Sequence, residues 1–283
     1  MLFRSSHQSY NIDGHQWALA IDAATQVCCF RKDLISSLPQ SWNELSNLAH
    51  QNKVLWPLKP VHAISSFYSI YNNITEEFNP EDKNFINKEF GIKTLEMMKH
   101  ITSCLISDCF NMDPIKTAEI LSSTDDFYYS PYTYGFSNYS RENFRENILT
   151  YGNVIDLSNK GPNGTHLGGT GIAISNKSHH KDLALEYSFW IAGADCQKSI
   201  FYKSGGQPGN SIAWENQEIN DECNGFFTNT RLTLNQAWIR PRHNGYMKFQ
   251  DESGEIINEY LQSNTNEDII IDKLKIMYAE SFE

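Results

Sequence analysis

The stretch of sequence that decides the fold is Leu167-Gly168-Gly169-Thr170-Gly171-Ile172-Ala173-Ile174-Ser175. Its three glycines within four positions let the backbone turn, or approach another segment, where a side chain would clash. Residues 172–174 are predicted to form a short buried strand, and residues 182–191 a helix that follows a turn. A strand that leads into a helix directly after a glycine-rich bend favours an α/β fold in which the bend faces a cleft.

The composition is that of an ordinary folded protein and excludes two classes of partner. The chain has 283 residues, 40% of them apolar and 20% charged, which is enough for two domains or one large one. Its formal net charge of −11 argues against nucleic acid, whose phosphates require a basic surface. No run of about eighteen apolar residues is present, so no membrane span is predicted.

Several kinds of catalytic or metal chemistry also lack their sequence signals. The six cysteines have no metal-ligand spacing, and buried free thiols are the expected state. The glycine-rich bend precedes its strand, whereas a dinucleotide fingerprint follows one. His179-His180 beside Asp182 is expected to be a solvated helix start, because adjacent histidines on a helix point in different directions. No metal site, no cofactor and no catalytic residue is therefore predicted.

Capping and turn signals place the other elements. Ser41 with Glu44 forms a capping box that predicts a helix over 42–51, and Asp113-Pro114 predicts one over 115–121. Asp13-Gly14 predicts a tight hairpin. Further helices are expected over 81–105, bent or divided at Gly91, and over most of 256–278, and strands over 15–21, 26–30 and 54–57.

Three predicted loops combine flat rings with amides and hydroxyls, and they indicate a carbohydrate ligand. These loops are Trp56-Pro57-Leu58, residues 132–139 and residues 205–208. A sugar offers apolar C–H faces for stacking and hydroxyls for paired hydrogen bonds, so Trp and Tyr beside Asn, Gln, His and Arg suit it. The alternative interpretation is that these aromatic residues fill the core and that the other residues only form turns.

Several segments, in their order along the chain, resemble the family 1 extracellular solute-binding proteins, the carbohydrate-capturing components of bacterial ABC importers. The segments that carry the resemblance are His15–Gln26, Arg31–Leu34, Ser41–Leu45, Gly168–Ser175 with the helix after it, Gly205–Gly209 and Arg240–Tyr246. The chain departs from the family pattern at Ala20, where proline is common, and at Arg31, where asparagine is usual.

The resemblance implies an α/β, two-lobe periplasmic-binding-protein-like architecture of type II, with ligand held between lobes that close by a hinge. Residues 1–23 and 168–234 are expected to be the remainder of lobe one, and residues 24–167 and 235–283 to be lobe two. Crossings between them are expected at 21–26, at 167–171 and around Leu234. Family members usually begin with an export signal and a first βαβ portion, so lobe one is expected to be incomplete and the protein truncated.

The same resemblance implies a non-enzymatic, periplasmic or extracytoplasmic protein that binds a sugar or oligosaccharide and delivers it to ABC transporter permease subunits, although the chain as given starts without an export signal. Two alternatives stay open: a sugar-acting enzyme with a carboxylate acid/base pair, and a protein–protein module derived from a binding protein. The residues expected to contact ligand are Trp56, His62, Tyr134, Asn138, Gly168, Gly169 and Trp214.

Overall fold

The computed structural model describes residues 4–75, 82–83 and 86–283. The strands are β1 Asn11–Ile12, β2 His15–Gln16, β3 Leu19–Ala20, β4 Ala24–Phe30, β5 Tyr129–Tyr134, β6 Thr150–Gly152, β7 Leu167–Gly168 and β8 Gly171–Ile172. The helices are α1 Arg4–Gln8, α2 Trp42–His50, α3 Pro60–Ile74, α4 Lys88–Thr102, α5 Pro114–Leu121, α6 Lys181–Ala192, α7 Ala194–Cys196, α8 Ser211–Trp214, α9 Gln217–Glu222, α10 Phe226–Asn235, α11 Tyr246–Leu261 and α12 Glu267–Glu280.

The larger part of the molecule is built on the antiparallel sheet β5-β4-β6, in which β4 is the central strand. Cys29 of β4 lies opposite Ser130 on one side and Tyr151 on the other. Six of the seven residues of β4 are buried, and its two polar side chains, Thr25 and Gln26, are hydrogen-bonded to Thr165 and Ser66. The predicted strand over 26–30 is confirmed and begins two residues earlier, whereas the segment 54–57 supplies only a single bridge, from Val54 to Tyr129.

Helices α2 to α5, α11 and α12 pack around this sheet and around one another. The predicted caps are present. The Ser41 side chain accepts a hydrogen bond from the amide of Glu44, and the Asp113 side chain accepts one from the amide of Lys116. The bend predicted at Gly91 is wrong, because α4 continues through it. A Cβ at Gly91 would lie 2.8 Å from Ile271 Cδ1, so the glycine permits the close packing of α12. The first residue of the predicted helix, Glu81, lies outside the described residues.

A smaller part is formed by α1, the β1–β2 hairpin, the antiparallel pair β3–β8 and the helices α6 and α7. The hairpin turns at Asp13 and Gly14, both in the left-handed region (φ 53° and 76°), as the Asp-Gly signal predicts. Buried Ala20, Ala192 and Cys196 lie outside the hydrophobic core cluster that runs through the larger part. The smaller part therefore has its own, much thinner interior.

The contacts favour a different boundary between the two parts from the one predicted. Helix α10 packs on β4 and β6, and its Leu234 is fully buried in the core of the larger part. Pro208 bridges to Asp22, which makes the segment around Pro208 our candidate for the third crossing. Residues from about 210 onward thus belong with the larger part, because α10 has its apolar face on that sheet.

Helix α6 leaves an unusual amount of apolar surface exposed. Leu183 and Phe189 are 68% and 60% exposed, and only Ser188 and Ala192 of the helix are buried. Leu185 and Phe189 also border a groove of about 540 Å³ whose other wall includes Trp17 and Ile172. A helix that is apolar on most sides is normally covered on most sides. The smaller part is therefore the less completely packed one.

Candidate functional site

Three segments of chain meet where the two parts join. The amides of Ile21 and Asp22 donate to Thr170 O at 2.9 and 3.1 Å, and the amide of Gly209 donates to Ile21 O at 3.1 Å. Two residues beyond Asp22, Ala24 of β4 pairs with Gly168 of β7. The predicted crossings at 21–26 and 167–171 therefore lie side by side, joined by backbone hydrogen bonds.

Gly169 is required at this junction for two reasons. Its φ of +114° is a conformation that L side chains rarely adopt, and a Cβ there would lie 2.5 Å from Asp22 O. Gly168 has a different role, because a Cβ there would lie 2.8 Å from Cε1 of Tyr134. Gly169 thus lets the bend contact the backbone of Asp22, and Gly168 lets the ring of Tyr134 pack against the backbone of the bend.

Two of the predicted ligand residues, Tyr134 and His62, form a pair beside the bend. Their ring centroids are 6.2 Å apart, and both side chains are half-buried. Tyr134 Oη donates to His166 O at 3.2 Å, and burial raises the pKa of Tyr134 to about 12. Burial lowers the pKa of His62 to about 4, so its ring is neutral at pH 7. Nδ1 of His62 is buried, and none of the described residues gives it a hydrogen-bond partner.

The aromatic loop and the loop after residue 204 are also brought together, as expected of a shared site. Asn138 Nδ2 donates to Gly205 O at 3.2 Å, and the amide of Ser137 donates to Gln207 Oε1 at 3.1 Å. The amide group of Gln207 in turn donates to Ala23 O at 3.2 Å. Asn138 therefore holds the third crossing against the larger part, and its side chain remains half-buried.

The two predicted tryptophans lie in the packing and not at a surface. Trp56 is 0% exposed, stacks on Tyr132 and donates its indole N–H to Ser66 Oγ at 3.0 Å. Trp214 is 2% exposed, and its Nε1 donates to Pro208 O at 2.6 Å, which anchors the third crossing. Neither ring offers a free face in this conformation. Ligand contact by these two residues stays a prediction, and the site proposed below does not include them.

His166 is a buried residue of the junction that the sequence did not single out. Its Nδ1 lies 2.9 Å from Ser65 Oγ, whose hydroxyl already donates to Val61 O. With the Ser65 hydroxyl donating to Val61 O, Nδ1 carries the proton, and Nε2 is an acceptor that has no partner among the described residues. Burial, and then the charges of Arg240 and Arg242, lower the pKa of His166 to about 3, so the ring is neutral.

Asp22 and Tyr10 complete the acidic side of the junction. Burial raises the pKa of the Asp22 carboxyl to about 7, and none of the described basic groups forms an ion pair with it. Tyr10 packs on the backbone at Gly171, where a Cβ would lie 2.6 Å from its ring. Burial raises the pKa of Tyr10; Arg242 opposes the rise and the negative charge of Asp22 adds to it. Tyr10 therefore lies within electrostatic reach of both Arg242 and Asp22.

Two arginines approach the junction from the segment after α10. This segment is held by Trp238, whose amide donates to Thr165 O at 2.8 Å and whose carbonyl accepts from the amide of Leu167 at 2.9 Å. Arg240 is half-buried and donates from Nη1 to Gln250 Oε1 at 2.9 Å. Desolvation by the surrounding protein, and then the charge of Arg240, lower the pKa of Arg242. No described carboxylate forms an ion pair with either guanidinium.

The structure gives no sign of a metal centre in its described part. No group of three or more His, Cys, Asp or Glu side chains there is arranged to hold an ion. The cysteines are unpaired, with Cys104 half-buried and the others buried. None of the described helices has the length and apolarity that a bilayer crossing needs.

Comparisons with known proteins show the fold. Neither protein-family models nor curated proteins give a match to this sequence. Among solved structures, maltose-bound MalE3 of T. maritima superimposes with a TM-score of 0.82 at 13% identity, covering 98% of this chain and 75% of that one. A solute-binding protein of an ABC transporter from Agrobacterium radiobacter K84, in complex with ribitol, gives 0.78 at 17% identity, covering 99% and 75%. The sugar-binding protein MalE from Xanthomonas citri gives 0.74 at 14% identity, covering 99% and 74%. The predicted periplasmic-binding-protein-like fold is confirmed.

Proposed function

We propose that this protein captures a carbohydrate at the junction of its two parts and releases it unchanged. The observation that carries the proposal is the convergence of three crossing segments with a ring pair, an amide and a glycine backbone at one place. Tyr134, His62, Asn138, Gly168 and Gly169 all lie there, although they are distant in sequence. The shared fold with a maltose-bound protein, a ribitol-bound solute-binding protein and a sugar-binding protein supports the same function.

Each side chain of the proposed site has a chemical role that suits a polyol. The ring of Tyr134 offers an apolar face to sugar C–H groups, with His62 beside it. Nε2 of His166 and the carboxyl of Asp22 accept hydrogen bonds from hydroxyls, and Asn138 both donates and accepts. Because unpaired buried polar atoms are costly, a ligand that supplies hydroxyl donors would be held more firmly than an apolar one.

Binding is favoured over hydrolysis by the number of carboxylates at the junction. Glycoside hydrolysis generally needs two carboxyl groups about 5–10 Å apart, one acting as acid and the other as nucleophile or base. Among the described residues, Asp22 is the carboxyl group at the crossing segments, whereas Asp113, which acts electrostatically on His62, is engaged as the N-cap of α5 and accepts a hydrogen bond from the amide of Lys116. The proposal extends to an extracytoplasmic location and to transfer of the ligand to ABC transporter permease subunits, on the strength of the sequence resemblance and of the shared fold.

A thermal-shift screen against neutral and charged mono- and oligosaccharides tests the proposal, because a ligand of the folded state raises the melting temperature with concentration. Tyr134→Ala and His62→Ala are expected to remove the shift, and Tyr187→Ala, on the exposed face of α6, to leave it unchanged. Chromatography of the recovered sugar is expected to show it intact; a shortened sugar would indicate an enzyme instead. No shift with any sugar, together with an obligate complex with another protein, would favour the protein–protein module.

A further inference from the structure

Gln197 is a buried amide of the smaller part, outside the residues of the proposed site. Its side chain is 0% exposed and begins the π-helical turn Gln197–Phe201, directly after α7. Turns of this kind are rare and are frequently found at functional sites. A buried amide is costly unless its donors and acceptor are paired. The partners of Gln197 therefore show which backbone arrangement this side chain stabilises.

The amide group of Gln197 joins three backbone segments. Its Nε2 donates to Ile21 O, in the first crossing segment, at 3.2 Å and to Ile191 O, in the last turn of α6, at 2.8 Å. Its Oε1 accepts from the amide of Gly209, in the crossing segment around Pro208, at 2.7 Å. Both N–H donors of the side chain are therefore used, and one residue fixes two crossing segments and the end of α6 relative to one another.

The two crossing segments lie backbone against backbone at this point. A Cβ at Gly209 would lie 2.9 Å from Asp22 N, so no larger residue fits between the segments without moving them. The N–H of Gly209 is shared between Ile21 O at 3.1 Å and Gln197 Oε1 at 2.7 Å. Since the shorter of the two hydrogen bonds goes to Gln197, its removal leaves the segments held by the longer one.

Gln197 in this way sets the relative position of two site residues that lie on different crossing segments. Gly169 packs on the first segment, where a Cβ would lie 2.5 Å from Asp22 O. Asn138 donates to Gly205 O at 3.2 Å, in the segment that leads to Pro208. Because Gln197 links these two segments, a change in its hydrogen bonds alters the distance between the glycine backbone and the Asn138 amide.

Gln207 makes a second connection, to the larger part. Its Nε2 donates to Ala23 O at 3.2 Å, and its Oε1 accepts from the amide of Ser137 at 3.1 Å. The side chain of Gln207 is half-buried. One glutamine therefore fastens the crossing segments to the smaller part, and the other fastens them to the larger part.

We propose that Gln197 is a positioning residue of the carbohydrate site. It is fully buried and does not touch the ligand, but it holds the crossing segments in the arrangement that brings Gly169 and Asn138 to the same sugar. This inference rests on the proposed function and adds to it a residue that acts through the backbone. Without the amide of Gln197 the site loses affinity, although every group that contacts the sugar is still present.

Two matched variants test the inference. Gln197→Met keeps the length of the side chain and removes its three hydrogen bonds. Asn258→Leu is the control, because Asn258 is a buried amide of α11 with the same set of bonds and none of its partners lies in a crossing segment. Asn258 donates to Leu58 O at 2.7 Å and to Phe110 O at 2.9 Å, and it accepts from Gln262 Nε2 at 2.8 Å.

Hydrogen exchange of the sugar-free proteins and isothermal titration calorimetry give the two readouts. Maltose and ribitol, the ligands of two solved structures with the same fold, are the probes. We expect residues 19–24 and 206–210 to exchange about tenfold faster in Gln197→Met than in Asn258→Leu. We also expect Gln197→Met to weaken sugar binding about tenfold, the effect of roughly one net hydrogen bond, and Asn258→Leu to leave it unchanged.

A general loss of stability would act on both variants alike, so the difference between them is what decides. Crossing segments that exchange no faster in Gln197→Met than in the control, or an unchanged sugar affinity, would overturn the inference and leave the proposed function intact. Gln197→Asn, which keeps the amide and shortens its reach by one methylene, is the milder variant should Gln197→Met fail to fold, and it is expected to show the same two changes. Absence of binding by the wild-type protein would count against the proposed function, and the exchange comparison then decides whether Gln197 holds the crossing segments.

Discussion

Replacing Gly169 by alanine tests whether the crossing segments are as tightly packed as the structure shows. At φ +114° any L residue is strained, and the new Cβ would lie 2.5 Å from Asp22 O and 3.2 Å from Ala23 Cα. Relief of that contact must separate the two segments and weaken the hydrogen bond from Asp22 N to Thr170 O at 3.1 Å. A left-handed conformation costs roughly 1–2 kcal/mol and overpacking adds about 1–3 kcal/mol.

Gly14→Ala is the matched control, because Gly14 also has a positive φ, +76°, but no atom of the described residues lies within 4 Å of its Cβ position. We expect Gly14→Ala to lower the free energy of unfolding by about 1 kcal/mol and Gly169→Ala by about 3 kcal/mol. Urea unfolding followed by circular dichroism measures both, and the melting temperature of Gly169→Ala should fall by roughly 6–9 °C. Equal losses for the two variants would refute the close approach of the crossing segments.

Three further predictions concern charge and surface. The pKa of Asp22 is raised to about 7 in the folded state, so the stability of the wild-type protein should decline as pH rises from about 4 through 7. Asp22→Asn should lack that decline. Identical profiles of melting temperature against pH for the two proteins would contradict this prediction. Arg31→Ala should cost about 2–4 kcal/mol in urea unfolding, since it removes a buried guanidinium with two carboxylate partners, whereas exposed Lys32→Ala should cost nothing measurable. The double substitution Leu183→Glu and Trp190→Glu, on the exposed apolar face of α6, should reduce self-association measured by light scattering and leave the melting temperature unchanged. A large fall in melting temperature would show instead that this face of α6 is packed against other parts of the protein.

Local signals in the sequence predicted the elements well. The Ser41–Glu44 box, the Asp113-Pro114 start and the Asp13-Gly14 turn each act through hydrogen bonds or backbone preferences within a few residues, so they can be recognised from sequence. The role of Gly91 could not be recognised in this way. A glycine is needed at this position because Ile271, 180 positions further along the chain, packs against it. When that contact is unknown, a glycine within a helical pattern predicts a helix break.

The candidate site was only partly predictable for the same reason. Tyr134, Asn138 and the glycine-rich bend were singled out because segments with rings, amides and glycines have a recognisable composition, although Tyr134 ends strand β5 and does not lie in the predicted loop. The segment around Trp56 has a similar composition, yet this tryptophan is buried. Tyr132 of β5 stacks on its ring, and Ser66 of α3 accepts a hydrogen bond from its indole N–H. The positions of aromatic rings relative to the core depend on such long-range packing, which composition does not show.

The charged members of the junction give no local signal at all. Asp22 becomes unusual only because the crossing segments bury it. The boundary between the two parts has no local signal either, and the packing of α10 on β4 and β6 favours a boundary near residue 210. Tertiary structure was needed to find these features.

Hydrogen exchange with and without a saturating sugar tests the central claim most directly. If the ligand is held at the junction, protection should increase in residues 19–24, 166–172 and 206–210 and in the segment that carries Arg240, while α12 stays unchanged. The result that would contradict the account is a bound sugar that leaves these segments unaffected and protects a different region, such as the groove beside Trp17 and Phe189.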